Sequence, residues 1–320
     1  MKKILYPIIF MLLVIFIGDK LIFMTLNYLY ENTTVGQEGG ELNNYLNNSK
    51  TIELVLLGSS TTKLQVDPQD FHFSAINLAH HSTSLLYQSA ILDIIISKNK
   101  IPKAILLAVS PADFTLLPGD KVNQLQKEIL FLKYYYNQSA IVKQNINNIA
   151  LTERLKYILW SYRFNGIIIN DLRYYMLSRK NTNSTKANFK YQQSSPDDSL
   201  KVVKLMDEFS KKNEVEVRRP NTLPAASLIN IIQICKKYNI KLLCFNMAML
   251  LDKPQVIANG TQVVDSLLNT YKIPYFKITN ESAPFLFQNK SYWVDLQHLN
   301  EKGGKIETQL LVKFVKDSLF

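Results

Sequence analysis

The chain has 320 residues, enough for one large α/β domain with a sizeable core and a membrane anchor besides. Its 37 basic and 26 acidic side chains leave a formal charge of +11, a balance that suits nucleic acid, a membrane surface or an anionic polymer. The lysines are scattered, with no basic helix and no interleaving of aromatic with basic residues, so nucleic acid is excluded. What remains is a solvated lysine-rich surface with an attraction to anionic lipid or cell-wall polymer.

Lys2-Lys3 precede an apolar run from Ile4 to Ile17, and a second run, Leu21 to Leu29, follows Gly18-Asp19-Lys20. The first run alone spans about 21 Å as a helix, short of a bilayer core. A cleaved signal peptide has an h-region of this length, but no A-x-A-like site follows. The pattern therefore predicts an uncleaved signal-anchor over 1–30, with Asp19 and Lys20 at the headgroup level; a buried helix of a soluble protein is the alternative. The positive-inside rule then places the rest outside the cytoplasm, as a single-pass protein of a bacterial-type cytoplasmic membrane. Residues 31–50 are polar and contain Gly36, Gly39 and Gly40, which predicts a linker before a domain over 51–320.

Five short apolar runs predict strands: Glu53–Leu57, Ala75–Leu78, Lys103–Val109, Lys241–Phe245 and Pro274–Ile278. Helical patterns lie at Leu85–Ser97, Ala225–Tyr238, Thr261–Tyr271 and Glu301–Leu319. The alternation predicts an α/β fold of three layers, α/β/α, around a mostly parallel sheet covered on both faces. On the last helix Ile306, Leu310, Leu311, Phe314 and Val315 form one core stripe.

The first strand runs straight into Gly58-Ser59-Ser60-Thr61-Thr62. A glycine there lets the backbone turn sharply, and a serine just after it starts the next helix, where free N–H groups favour an oxyanion. The cluster also reads as a plain N-cap. Between the third and fourth strands lies a helical insertion, about 116–223. Its aromatics include Tyr134, Tyr135, Tyr136, Tyr157, Trp160 and Tyr162, which predict packing against the sheet or stacking on sugars. Ser178 to Ser199 reads as an ordered loop or a disordered one. Cys235 and Cys244 sit among apolar neighbours and predict two buried free thiols, a disulfide being the alternative. No metal-ligand spacing occurs; His80 and His81 are adjacent and point apart. No cofactor is implied, and without G-x-G-x-x-G or a P-loop a flavodoxin-like nucleotide binder is the weakest reading.

Near the end, Trp293-Val-Asp-Leu-Gln-His-Leu-Asn300 puts Asp295 three residues before His298, within one turn, so that one can orient the other. The succession Gly58-Ser59-Ser60, Asn77-Leu-Ala-His-His-Ser82 and Asp295-x-x-His298 resembles the SGNH (GDSL-like) hydrolase and acyltransferase superfamily over about 51–320. Val66-Asp67-Pro68 is similar to its membrane-anchored branch linked to polysaccharide and teichoic-acid acylation. The resemblance implies Ser60 as nucleophile, His298 as base and Asp295 as its orienting partner. It implies an oxyanion and binding set around Gly58, Asn77 and Ser82. It further implies a cell-envelope glycan substrate, with a multi-span membrane acyltransferase as a possible acyl-donating partner, and either ester hydrolysis or acyl transfer. Two positions depart from the family pattern. Ser82 stands near a glycine whose N–H faces the oxyanion, and Ser110-Pro-Ala-Asp113 lacks the asparagine of G-x-N-D. One oxyanion donor is thus missing or supplied from elsewhere, and a non-catalytic glycan-binding or scaffold protein is the rival reading.

Overall fold

Leu54–Leu57 is an uninterrupted apolar run, and all four side chains are buried. A strand buried on both faces needs such a run, and this one lies within a five-stranded sheet. The structure, a computed structural model, describes residues 2–34, 40–116, 126–166, 168–180, 189–193, 195, 198–211, 219–250 and 254–319. These fall into two compact units, Met1–Asn48 with Ile129–Lys186, and Ser49–Glu128 with Ala187–Phe320.

In chain order the helices are α1 (Lys2–Glu31), α2 (Gly40–Asn47), α3 (Ser60–Gln65), α4 (Leu85–Ser97), α5 (Ala140–Ile149), α6 (Leu151–Lys156), α7 (Ile168–Lys180), α8 (Asp198–Lys211), α9 (Thr222–Lys237), α10 (Pro254–Thr270), α11 (Pro284–Gln288) and α12 (Glu301–Leu319). The strands are β1 (Leu54–Leu57), β2 (Ala75–Asn77), β3 (Ala104–Ala108), β4 (Thr115–Leu116), β5 (Arg219–Pro220), β6 (Lys241–Asn246) and β7 (Tyr275–Lys277).

The larger unit is α/β. Its sheet has the order β2-β1-β3-β6-β7 and every pairing is parallel. Leu54, Leu56, Leu106, Leu243 and Phe245 alternate along three strands and join Leu311 and Val315 of α12 in one apolar cluster. Each fully buried side chain of this kind contributes about 1.5–3 kcal/mol. Cys235 and Cys244 are buried and free. The antiparallel pair β4–β5 was not legible in the sequence; it brings together the residues on either side of 117–218.

The chain leaves β1 towards β2 on one side and then returns to β3 on the other. Loops after β1 and β3 therefore diverge and leave a crevice at the carboxyl edge.

The smaller unit corrects three expectations. The 31–50 stretch is not a plain linker: α2 forms within it because Leu42 and Tyr45 are buried and Asn43 donates to the carbonyls of Tyr30 and Thr33, at 2.6 and 3.0 Å. Tyr30 lies in the last turn of α1, where its carbonyl also accepts from Thr33 N–H, and Thr33 follows the helix, so the Asn43 amide ties α2 to the end of α1. Nor is 116–223 one insertion, since 129–186 groups with the N-terminal residues instead of the sheet. Its aromatics pack among themselves and on α1 rather than on the sheet. Tyr134 stacks on Tyr30 at 4.0 Å, Tyr136 on Tyr157 at 4.5 Å, and all four are buried. Trp160 and Tyr162, by contrast, are exposed. Helix α1 is long and apolar enough to cross a membrane. Within Ser178–Ser199, α7 and α8 take the ends, residues 189–193 and 195 have no regular secondary structure, and 181–188, 194, 196 and 197 lie outside the described residues.

Candidate active site

The site starts at Gly58. A Cβ there would lie 2.1 Å from Thr62 Oγ1 and 2.9 Å from Ala108 Cβ, so only glycine lets the turn close against both its own helix and β3. The Gly58 carbonyl accepts from His80 N–H at 3.1 Å and from Gln88 Nε2 at 2.6 Å. The Gln88 amide also donates to Thr83 Oγ1, so one buried side chain ties the turn to the following loop. Ser59 occupies the N-cap position and Ser60 is the first residue of α3.

Ser60 Oγ lies 3.1 Å from His298 Nε2. On the other side of the imidazole, Nδ1 is 2.9 Å from Asp295 Oδ2 and 3.1 Å from Oδ1. The network assigns the tautomer: Nδ1–H donates to the carboxylate, which leaves Nε2 to accept from the serine. Burial pushes the Asp295 carboxyl up. The Gln297 N–H, the His298 ring and the His298 N–H outweigh it and hold the group below the ordinary carboxylate range. An anionic partner is what the imidazole needs when it takes a proton. Ser59, by contrast, faces Thr61 Oγ1 at 3.3 Å.

Tertiary ties hold the two halves together. Trp293 is fully buried and its Nε1 donates to the Leu286 carbonyl at 2.8 Å, which fixes one end of the Asp–His loop. Asn300 fixes the other, donating to Ser291 O at 2.7 Å and accepting from Lys302 N and Gly303 N to cap α12. Gln65, on the helix that begins with Ser60, donates to Gln297 O at 3.2 Å. Its own carbonyl accepts from Thr308 Oγ1 on α12 at 3.0 Å.

Beside this triad lies a cavity of about 200 Å³ at the carboxyl ends of β1, β3 and β6. Gly58 and Ser60 line it, as do Thr83, Asp113 and Asn246. Two of the expected binding residues are not among its lining. The Asn77 amide clasps the end of α3, donating to Thr62 O and Val66 O at 2.8 and 3.0 Å, and its oxygen accepts from Ala79 N–H. It is a brace, because its amide nitrogen and its amide oxygen both bond to backbone inside the fold. Ser82 has an exposed side chain and a left-handed backbone, φ 55°, a conformation glycine adopts more readily. The neighbouring Thr83 and Ser84 line the cavity instead.

Asn246 and Asp113 of the cavity wall, and Glu128 behind Ser84, were not among the expected site residues. Asn246 is 92% buried, ends β6, and its amide has no partner among the described residues. A polar residue closing an apolar parallel strand was the available signal. Burial and the charge of Glu128 push the half-buried Asp113 up to about 7. Glu128, likewise pushed up to about 7 by burial, accepts from both the N–H and the hydroxyl of Ser84. Among the described residues no group of three or more His, Cys, Asp and Glu side chains could hold a metal ion. No protein-family model matches the chain, and no curated protein matches it.

Proposed function

We propose that this chain is a serine-dependent acyltransferase or esterase of SGNH type, with a three-layer α/β/α domain held outside the cytoplasm by α1 and acting on a cell-envelope glycan. The observation that carries the reading is the chain of contacts from Ser60 Oγ through the His298 ring to the Asp295 carboxylate, at 3.1 and 2.9 Å, beside a cavity. The membrane and glycan parts rest on the apolar α1 and on the motif resemblance.

In this mechanism Ser60 Oγ attacks the acyl carbonyl as His298 Nε2 takes its proton. Asp295 holds the ring and stabilises the imidazolium. The Ser60 N–H, free at the first turn of its helix, donates to the oxyanion. The backbone N–H of Ser82 is the second donor that the motif implies. The buried amide of Asn246 is the side-chain donor that replaces the asparagine missing after β3. Collapse of the tetrahedral adduct passes the proton from His298 to the leaving oxygen. A sugar hydroxyl then completes transfer, or water completes hydrolysis, by the same steps in reverse.

Labelling with a fluorophosphonate probe tests the assignment. The wild type should label at Ser60, with the adduct located by mass spectrometry. Ser60→Ala should abolish labelling and Ser59→Ala should retain it. Asn246→Ala should slow it by about 10²–10³, the usual cost of one oxyanion donor. An adduct on Ser59, or a folded His298→Ala variant that labels at the wild-type rate, would refute the triad.

A further inference from the structure

The smaller unit exposes apolar side chains well beyond α1. On α6 Leu151 and Leu155 are 70% and 54% exposed, one turn apart. Ile158 and Trp160 follow, exposed in the connection and in the 3₁₀ turn Trp160–Phe164. On α7 Ile169 is 82% exposed, and Ile168, Leu172 and Met176 recur at one-turn intervals, all exposed. Isolated exposed leucines need no explanation, whereas runs of them on consecutive elements mark a contact surface.

What covers this surface is indicated by its continuity with α1, against which both the 160–164 turn and α7 pack. The Asp19 carboxylate accepts from Trp160 N–H and Ser161 N–H, each at 2.9 Å, and from Ser161 Oγ at 2.7 Å. Lys20 Nζ sits 3.9 Å from the Trp160 ring centroid, and Phe23 meets that ring edge-on at 5.3 Å. A bilayer core of about 30 Å takes about 20 helical residues, so a span counted from Ile4 reaches Phe23. Trp160 is thereby tied to α1 at the level where the core gives way to headgroups, the depth tryptophan favours. Exposed Arg154 and Arg173 stand on the same two short helices, with stems long enough to reach lipid phosphates.

We propose that α6, the 160–164 turn and the first turn of α7 form a second membrane contact that does not span: a platform at the outer end of the α1 span, its exposed apolar residues among acyl chains, while the far end of α7 rises beside α1 to Thr34, whose N–H donates to Ser178 Oγ at 2.8 Å. The proposal rests on the reading of α1 as a membrane span. Its occupant is the phospholipid bilayer itself.

The chain contains two tryptophans, Trp160 and the fully buried Trp293, so emission can be apportioned between them. The full chain is reconstituted into phosphatidylcholine–phosphatidylglycerol vesicles, with and without bromine on the acyl chains. Brominated lipid should remove up to about half of the emission, the share of one tryptophan in two, and Trp160→Phe should abolish that quenching. As a second readout, Ile169→Cys labelled with an environment-sensitive dye should shift to the blue on reconstitution and be quenched by nitroxide lipids. Absence of both signals in a chain that resists carbonate extraction would overturn the platform and leave the anchor standing. Absence of both in a chain that carbonate releases would overturn platform and anchor together.

Discussion

Ser59 and Ser60 differ by one position and by everything they touch. Ser60 meets the imidazole, whereas Ser59 meets the Thr61 hydroxyl. The motif pointed to Ser60, but its partner lies 238 residues away, a distance in sequence that no local pattern spans. Buried titratable groups were less legible still, because burial is a property of the packed fold. Glu307 on α12 is fully buried, and its Oε1 accepts from Ala248 N–H at 2.8 Å, bracing the loop next to the cavity-lining Met247 and Met249. Burial pushes its carboxyl up from 4.5 to about 8. Between those values the unfolded chain has lost the proton while the folded chain keeps it. Stability therefore falls as pH rises through this window, by up to about 1.4 kcal/mol per pH unit, and levels off above it. Glu307→Gln keeps an acceptor for Ala248 and has no proton to lose. Denaturant melts at about pH 5 and about pH 8 should show a shallower decline in the variant than in the wild type. Asp113 and Glu128, pushed the same way, supply the slope that remains. A difference between variant and wild type that does not change with pH would refute this account.

Among the elements, those defined by one apolar period were readable and those defined by partners were not. Each strand of the sheet is a short apolar run, and α4 and α12 start and stop where their patterns do. Helix α2 is polar enough to pass for linker, and its reason to fold is the set of carbonyls at the end of α1. The β1–turn–α3 unit lies between these cases, since the glycine was visible but not the atoms that crowd it. Gly58→Ala would press a methyl onto Thr62 Oγ1 and Ala108 Cβ, at a cost of about 1–3 kcal/mol. It should also displace Ser60 from His298. The expected result is a lower melting temperature together with fluorophosphonate labelling reduced more than the loss of folded protein accounts for. Wild-type labelling in Gly58→Ala would mean that the turn does not position the nucleophile.

At the scale of the whole molecule, the question is which side of a membrane the larger unit occupies. Lys2 and Lys3 precede the apolar run, and α1 has the length and composition to cross a bilayer. By the positive-inside rule, alkaline phosphatase fused after Lys50 should be active, and a reporter that works only in the cytoplasm should be silent at that point. The reverse pattern would place the site inside the cell and remove a cell-envelope glycan as substrate.

By itself the sequence determined the class of fold, the five strands and the apolar first helix, and its motifs pointed by resemblance to Ser60, Asp295 and His298, whose meeting the structure shows. These follow from local periodicity and from short motifs, whose information lies within a few neighbouring residues. Only the tertiary structure decided that Asn77 is a brace, that Asn246 and Asp113 face the cavity, and that the aromatic segment packs on α1. Each of those depends on which unpaired group or apolar surface is brought near by the rest of the chain. Residues far apart in sequence become neighbours only once the strand order and the packing of the helices are set.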